Sequence, residues 1–404
     1  LEAQALINDQ KALFDAFIQL IANAIDTKSA YTGGHCARVP ELTRMLAEAA
    51  CQAQEGPYQS FRLNDEGWET LRMAAWLHDC GKITTPEYVV DKATKLETLY
   101  NRIHEVRMRF EVLKRDAEIA CLQAIQQGAD EASSRQQLAK TLNELDDDFA
   151  FVARCNLGSE AMAPEDLQRL LEISQRTWQR TLDDRLGLSW EELQRHPQDV
   201  SLPLPTSEYV LADKPQHRIE RPQHDQMPKE SRWGFRMAEP KLLYNQGELY
   251  NLRLGYGTLT EEERFKINQH IVQTEVMLRQ LPFPPYLNRV PEIAAGHHEK
   301  LDGTGYPKGL HQDQLRPETR MLAIADIFEA LTASDRPYKK GKKLSEAVAI
   351  LHRMSQRGHI DPDLFALFLS SGVYQAYAQR FMAPAQIDEV PVAQYLSSQV
   401  QRAP

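Results

Sequence analysis

The sequence predicts an all-α protein: a helical bundle interrupted by a large, mostly helical insertion that contains a small β-hairpin. Three observations carry this expectation. Apolar residues recur at helical spacing along most of the chain, the middle block is long, polar and helix-rich, and that block ends in a proline-rich stretch no long helix could contain.

The elements follow in order. Residues 5–27 place Phe14, Phe17, Ile18, Ile21 and Ile25 on one helical face, and residues 39–53 repeat the pattern. Residues 71–79 form a denser apolar helix closed by Gly81. Three polar helices are expected over 99–125, 132–155 and 164–184. Pro197, Pro203, Pro205, Pro215, Pro222, Pro228 and Pro240 then exclude a long helix. Residues 241–254 alternate and turn at Asn245-Gln246-Gly247, which predicts the hairpin. A helix over 261–281 opens after Thr260 with acidic residues in its first turn. Helices over 318–333 and 344–354 complete the set.

The chain has 404 residues, 42% hydrophobic and 26% charged, enough for two or three cores of ordinary size. Its net charge of -10 argues against a partner that is a polymeric nucleic acid, which needs a basic face. No apolar run is long enough to span a bilayer, so no membrane contact is expected of this stretch, and no signal peptide is visible. Five cysteines, with no pair at CxxC spacing, fit a reducing cytoplasmic compartment. The chain begins Leu1-Glu2 rather than with Met, which suggests a piece of a longer protein.

The chemistry begins at Trp76-Leu77-His78-Asp79-Cys80-Gly81-Lys82. A carboxylate at the end of an apolar helix is costly unless neutralised, and a divalent metal with the imidazole as a second ligand would do so. Lys82 follows within a helical turn of both. A helix end with a capping Lys and a hydrogen-bonded His is the competing reading of this segment. The string His297-His298-Glu299-Lys300-Leu301-Asp302-Gly303-Thr304-Gly305-Tyr306-Pro307 sets vicinal histidines beside a tight loop that carries Thr304 and Tyr306. A polar turn is the alternative there. Asp326 is an early carboxylate in a nearly continuous apolar helix and needs a buried partner, a metal being the simplest.

His35 and His270 are each, taken alone, as well explained as core histidines. Together with His78, Asp79, His297, His298 and Asp326 they make five imidazoles and two carboxylates. That set is too large for one tetrahedral zinc and suits two metals sharing a carboxylate, with iron or manganese favoured by the N/O donors and other divalent ions allowed. Cys36 and Cys80 read as packing residues. Arg336-Pro337-Tyr338-Lys339 could hold a phosphate, a solvated loop being the alternative. Arg102, His104, Arg107 and Arg109 form a basic run that reads first as a solvated face and second as a phosphate contact.

These strings resemble the HD-GYP proteins, a branch of the HD-domain metal-dependent phosphohydrolases. The likeness rests on Tyr31-Thr-Gly-Gly-His35 with Arg38-Val39, His78-Asp-Cys-Gly-Lys82, His297 through Pro307 with Gly309-Leu310, Ala325-Asp326 through Thr332, and Arg336-Pro-Tyr-Lys339, in the family's order. It covers residues 14–97 and 257–375 and leaves out the middle. The resemblance implies a discontinuous catalytic core over 31–97 and 257–375, preceded by a signalling helix over 1–30, interrupted by an inserted subdomain over 98–256 and followed by an extension over 376–404.

It further implies a cytoplasmic bacterial enzyme that hydrolyses cyclic di-GMP to linear pGpG and, in many members, onward to GMP. A preference for 3′,3′-cyclic GMP-AMP and a non-catalytic cyclic-dinucleotide-binding module are the alternatives. Metal ligands carry over onto His35, His78, Asp79, His270, His297, His298 and Asp326, with Asp79 bridging, and substrate contacts onto Lys82, Thr304, Tyr306, Arg336 and Lys339. Asp79 and Lys82 would be catalytic, a metal-bridging hydroxide attacking phosphorus. Some members bind a third metal through a carboxylate at the position that is Tyr31 here, so two ions are expected. An upstream sensor domain would drive the leading helix, attached to a membrane in some arrangements, and the insertion would serve as a lid or homodimer contact.

Overall fold

The computed structural model describes residues 2–28, 34–158, 161–197, 203–228, 231–334 and 341–400. It is all-α, with sixteen α-helices and two two-stranded antiparallel sheets among the described residues. By contacts the chain divides into two compact units: Leu1–Val90, Pro228–Ala238 and Ile267–Pro404 in the first, Asp91–Met227 and Glu239–Lys266 in the second. No helix among the described residues is long and apolar enough to cross a membrane.

The first unit is built on the helices Glu2–Lys28, His35–Gln52, Asp65–Leu77, Pro317–Thr332, Leu344–Gln356 and Pro362–Ser370. Val39, Leu42 and Leu46, at helical spacing on the second of these, are fully buried with Phe328, Val348 and Phe365 in one core. The helix Asp65–Leu77 starts where Asn64 Oδ1 accepts the Gly67 amide at 2.9 Å. It ends at His78, so both motif residues fall where the chain turns into the short 3₁₀ segment Cys80–Thr84.

Gly81 does more than end that helix. A Cβ there would lie 1.9 Å from His270 O and 2.6 Å from Thr274 N. Its hydrogen side lets the helix Glu261–Leu278 come close enough for the Gly81 amide to donate to Thr274 Oγ1 at 2.9 Å.

In the second unit the helices Ile103–Gln126 and Glu131–Leu157 pack on each other, burying Val106, Phe110, Leu145 and Val152 with Leu170, Val210 and Leu252. The basic run of the first of these helices is used internally. Arg109 pairs with buried Glu248 at 2.7 Å, Arg102 donates to Gln246 O, and Arg107 lies over the Phe149 ring and bonds His104. The helix Glu261–Leu278 begins in this unit as expected: Thr260 Oγ1 accepts from the Glu263 amide, and Glu263 accepts from the Thr260 amide.

Two expectations need correction here. The helix predicted over 164–184 stops at Ser174, and Thr177–Arg180 is a strand paired antiparallel with Thr206–Tyr209. The pairing matches charges across it, Arg180 Nε to Glu208 Oε1 at 2.5 Å. The hairpin predicted over 241–254 is not formed within that segment. Its strand Leu242–Asn245 pairs instead with the distant Arg218–Glu220. After it, Asn245 Oδ1 accepts the Gly247 amide, and the chain enters the helix Glu248–Leu252, anchored by the buried Glu248–Arg109 pair.

Candidate metal centre

Five of the seven candidate side chains lie at or just beyond a helix end, and two lie within helices. His35 opens the helix His35–Gln52, His78 and Asp79 follow the helix Asp65–Leu77, and His297 and His298 follow the helix Val290–Ala295. His270 and Asp326 project from the helices Glu261–Leu278 and Pro317–Thr332. All seven converge. His35, His78, Asp79 and Asp326 form one group and His270, His297 and His298 another, with donor atoms in each within 4.8 Å of one another.

Asp79 stands between the groups. Its Oδ2 is 3.1 Å from His78 Nε2 and 3.3 Å from His35 Nε2, while its Oδ1 is 3.2 Å from His270 Nε2 and 4.0 Å from His297 Nε2. Asp326 Oδ1 lies 3.4 Å from His35 Nε2.

The imidazoles are oriented from behind. The Nδ1–H groups of His78, His270 and His297 donate to the carbonyls of Ala75, Ile267 and Ala294 at 2.7, 2.5 and 2.6 Å. That fixes the tautomer and leaves each Nε2 lone pair facing the centre. His78 Nε2, His270 Nε2, His297 Nε2 and Asp79 Oδ1 are buried without a hydrogen-bond partner. An unsatisfied buried polar atom costs about 1–3 kcal/mol. Four of them distributed over the two donor groups fit divalent cations, which the donor set could hold.

The charges agree. Burial alone would raise the Asp79 carboxyl, yet His78 and Lys82 hold it well below the usual carboxylate range. Burial opposes a charge on His35, but Asp326, Asp79 and Glu329 keep its pKa well above the ordinary imidazole value. Burial, with His78 adding, pushes His297 down to about 4. Burial and the neighbouring His297 and His270 hold His298 well below its ordinary value. Burial likewise pushes the Cys80 thiol up to about 12 and raises Cys36, so both remain protonated packing residues.

Lys82 reaches the centre, its ammonium bonded to Asp79 Oδ2. Tyr306 reaches it too: its ring stacks on His298 with centroids 4.9 Å apart, and its amide donates to His298 O at 3.2 Å. Thr304 is exposed, and its amide and hydroxyl bond Asp302 Oδ1 at 2.9 and 2.7 Å rather than a residue of either group. Arg336 and Lys339 lie outside the described residues. The Gly-Tyr-Pro loop is tight because Gly305 passes the Glu299–Lys300 backbone, where a Cβ would sit 2.3 Å from Lys300 N.

Two carboxylates escaped the sequence reading. Glu329 Oε2 lies 2.5 Å from His35 Nδ1, and Glu299 accepts the Lys308 and Leu310 amides at 2.6 and 2.9 Å. Glu329 follows Asp326 by three residues, a spacing that shares a helix face and was its one signal.

A family model described as HD domain matches residues 205–364. A cyclic di-GMP phosphodiesterase of Pseudomonas aeruginosa is 46% identical over 87 residues, 21% of this chain and 20% of the relative. A 3′3′-cGAMP-specific phosphodiesterase of Vibrio cholerae is 40% identical over 111 residues, 27% of this chain and 23% of the relative. A cyclic di-GMP phosphodiesterase of Thermotoga maritima is 37% identical over 115 residues, 28% of this chain and 30% of the relative. The matches thus span less than a third of each of these relatives. Over the matched residues 205–364 the chain is similar to HD-domain proteins, and its histidine-aspartate centre is consistent with that likeness. The His297–Pro307 string carries the resemblance to the HD-GYP branch.

Proposed function

We propose that this chain is a metal-dependent phosphodiesterase that hydrolyses cyclic di-GMP to linear pGpG and onward to GMP. The observation that carries the reading is the pair of donor groups with Asp79 of one set 3.2 Å from His270 of the other, and four buried donor atoms lacking hydrogen-bond partners. His35, His78, Asp79 and Asp326 would hold one divalent ion and His270, His297, His298 and Asp79 a second, iron or manganese suiting the donors. Such ions supply a water acidic enough to ionise near neutral pH and positive charge for the phosphoryl oxygens.

The chain's own residues do the rest. Lys82, beside Asp79, is placed to offset charge that builds on a non-bridging phosphate oxygen. Tyr306, with one face on His298, can offer the other to a guanine. Arg336 and Lys339 bind phosphate, and Thr304 is assigned to the loop's substrate contact. The reading includes an inserted subdomain over 98–256, a sensor domain upstream, a homodimer and a cytoplasmic site of action.

The Vibrio cholerae relative named for 3′3′-cGAMP favours that dinucleotide as the second reading. The test is metal quantification on anaerobically purified protein, followed by chromatography of products from both dinucleotides. About two metals per chain with conversion of cyclic di-GMP is expected. Full metal occupancy with neither dinucleotide cleaved would leave only a binding module.

A further inference from the structure

A stretch within the block between the two matching parts lies against the Gly-Tyr-Pro loop. Residues Pro228–Ala238 belong by their contacts to the same compact unit as the donor groups. The Arg236 amide donates to Pro307 O at 2.8 Å. The Phe235 ring lies 5.7 Å from the Lys308 ammonium, a cation–π distance. Behind it the rings of Phe235 and Trp233 stack at 5.7 Å, only 8° from parallel, with the Arg232 guanidinium 4.9 Å from the Trp233 ring.

Lys308 passes this hold into the loop. Its ammonium bonds buried Glu275 at 2.6 Å, and its amide bonds Glu299, the residue after His298. Two residues before Lys308, Tyr306 stacks on His298 and bonds its carbonyl. The loop carries Gly303, Gly305 and Gly309 and is braced from within by Glu299, which accepts the Lys308 and Leu310 amides, and by Asp302, which accepts the Thr304 amide. On its outer side the Phe235 ring and the Arg236 amide add a further hold.

We infer that Phe235, stacked on Trp233 and set beside Lys308, is a positioning residue that holds Tyr306 in its binding orientation and thereby sets affinity for the cyclic dinucleotide. The claim about affinity rests on the function proposed above; the claim about the loop does not. A pre-ordered aromatic face loses less freedom when a base stacks on it, so the effect falls on substrate binding rather than on the chemical step.

The test compares the full chain with Phe235→Leu, which keeps apolar volume and removes the ring face, and Phe235→Trp, which restores it. Amide hydrogen exchange is followed at Tyr306, Lys308 and Leu310, and steady-state kinetics are measured with cyclic di-GMP. Phe235→Leu should speed exchange at all three amides about tenfold and raise KM about tenfold, with kcat within about twofold. Phe235→Trp should return both toward the parent. Lys308→Met, with Lys308→Arg as its conservative partner, repeats the comparison from the other side if Phe235→Leu does not fold.

Unchanged exchange at the three amides overturns the positioning role, and so does a loss of kcat at constant KM. If the parent cleaves neither dinucleotide, the phosphodiesterase reading fails while the exchange comparison still decides whether Phe235 holds the loop.

Discussion

Glu329 grips His35 from behind: its Oε2 sits 2.5 Å from His35 Nδ1, while its Oε1 is held by Arg38 Nη2 at 2.6 Å. The carboxylate is buried and cannot be replaced by solvent. It fixes the ring so that Nε2 faces Asp79 and Asp326. Partners of this kind typically set metal affinity by about 10–100-fold. Glu329→Gln should therefore weaken metal binding by that order while the helical fold remains. A metal titration followed by circular dichroism checks it, and parent-like affinity would show that the pair serves packing alone.

Asp79 faces both donor groups, Oδ2 toward His78 and Oδ1 toward His270. Asp79→Ala should abolish occupancy by both ions together and lower turnover by at least about a thousandfold. Elemental analysis per chain is the decisive measurement. One ion retained at full occupancy would mean that the groups bind independently and Asp79 is not shared.

The convergence of the candidate donors was legible in part because their residue types cluster in short strings whose spacing survives any fold. His78-Asp79 and His297-His298 are neighbours in the chain, and their convergence required only that helix ends meet. Glu329 was not legible, since one Glu in an apolar helix reads as a solvated position until Arg38 and His35 are known to face it. The hairpin assigned to 241–254 failed because the true partner of Leu242–Asn245 lies beyond any local turn signal, at Arg218–Glu220. The helix over 164–184 failed because periodicity carries no sign of the Arg180–Glu208 pairing that favours a strand after Ser174.

Gly81 should tolerate no side chain. A Cβ would collide with His270 O at 1.9 Å and Thr274 N at 2.6 Å, both in the rigid backbone of a buried helix. Relief requires that helix to move, and His270 moves with it. Gly81→Ala should cost about 1–3 kcal/mol or more and reduce metal binding at the His270 side. Chemical denaturation with metal titration tests both effects, and a stable variant with full metal content would refute the steric argument.

His217 supplies a pH dependence away from the metal centre. Its Nδ1 accepts the Lys214 amide at 3.2 Å. Burial pushes its pKa down to about 4, with Arg102 and Lys214 adding to the shift while Glu248 and Asp213 oppose it. In the unfolded chain the imidazole titrates near its ordinary 6.5. Between those values the unfolded state binds the extra proton and the folded state does not. Stability therefore falls as pH drops from about 6.5 to 4 and returns as pH rises through the same window, by roughly 1–3 kcal/mol for this residue. His217→Asn keeps an acceptor for the Lys214 amide and removes the titration. Urea unfolding of parent and variant, each without metal, should give curves that converge near pH 4 and separate toward pH 7, because only the parent regains stability. A constant difference between the two at every pH would show that His217 is protonated as readily in the fold as outside it.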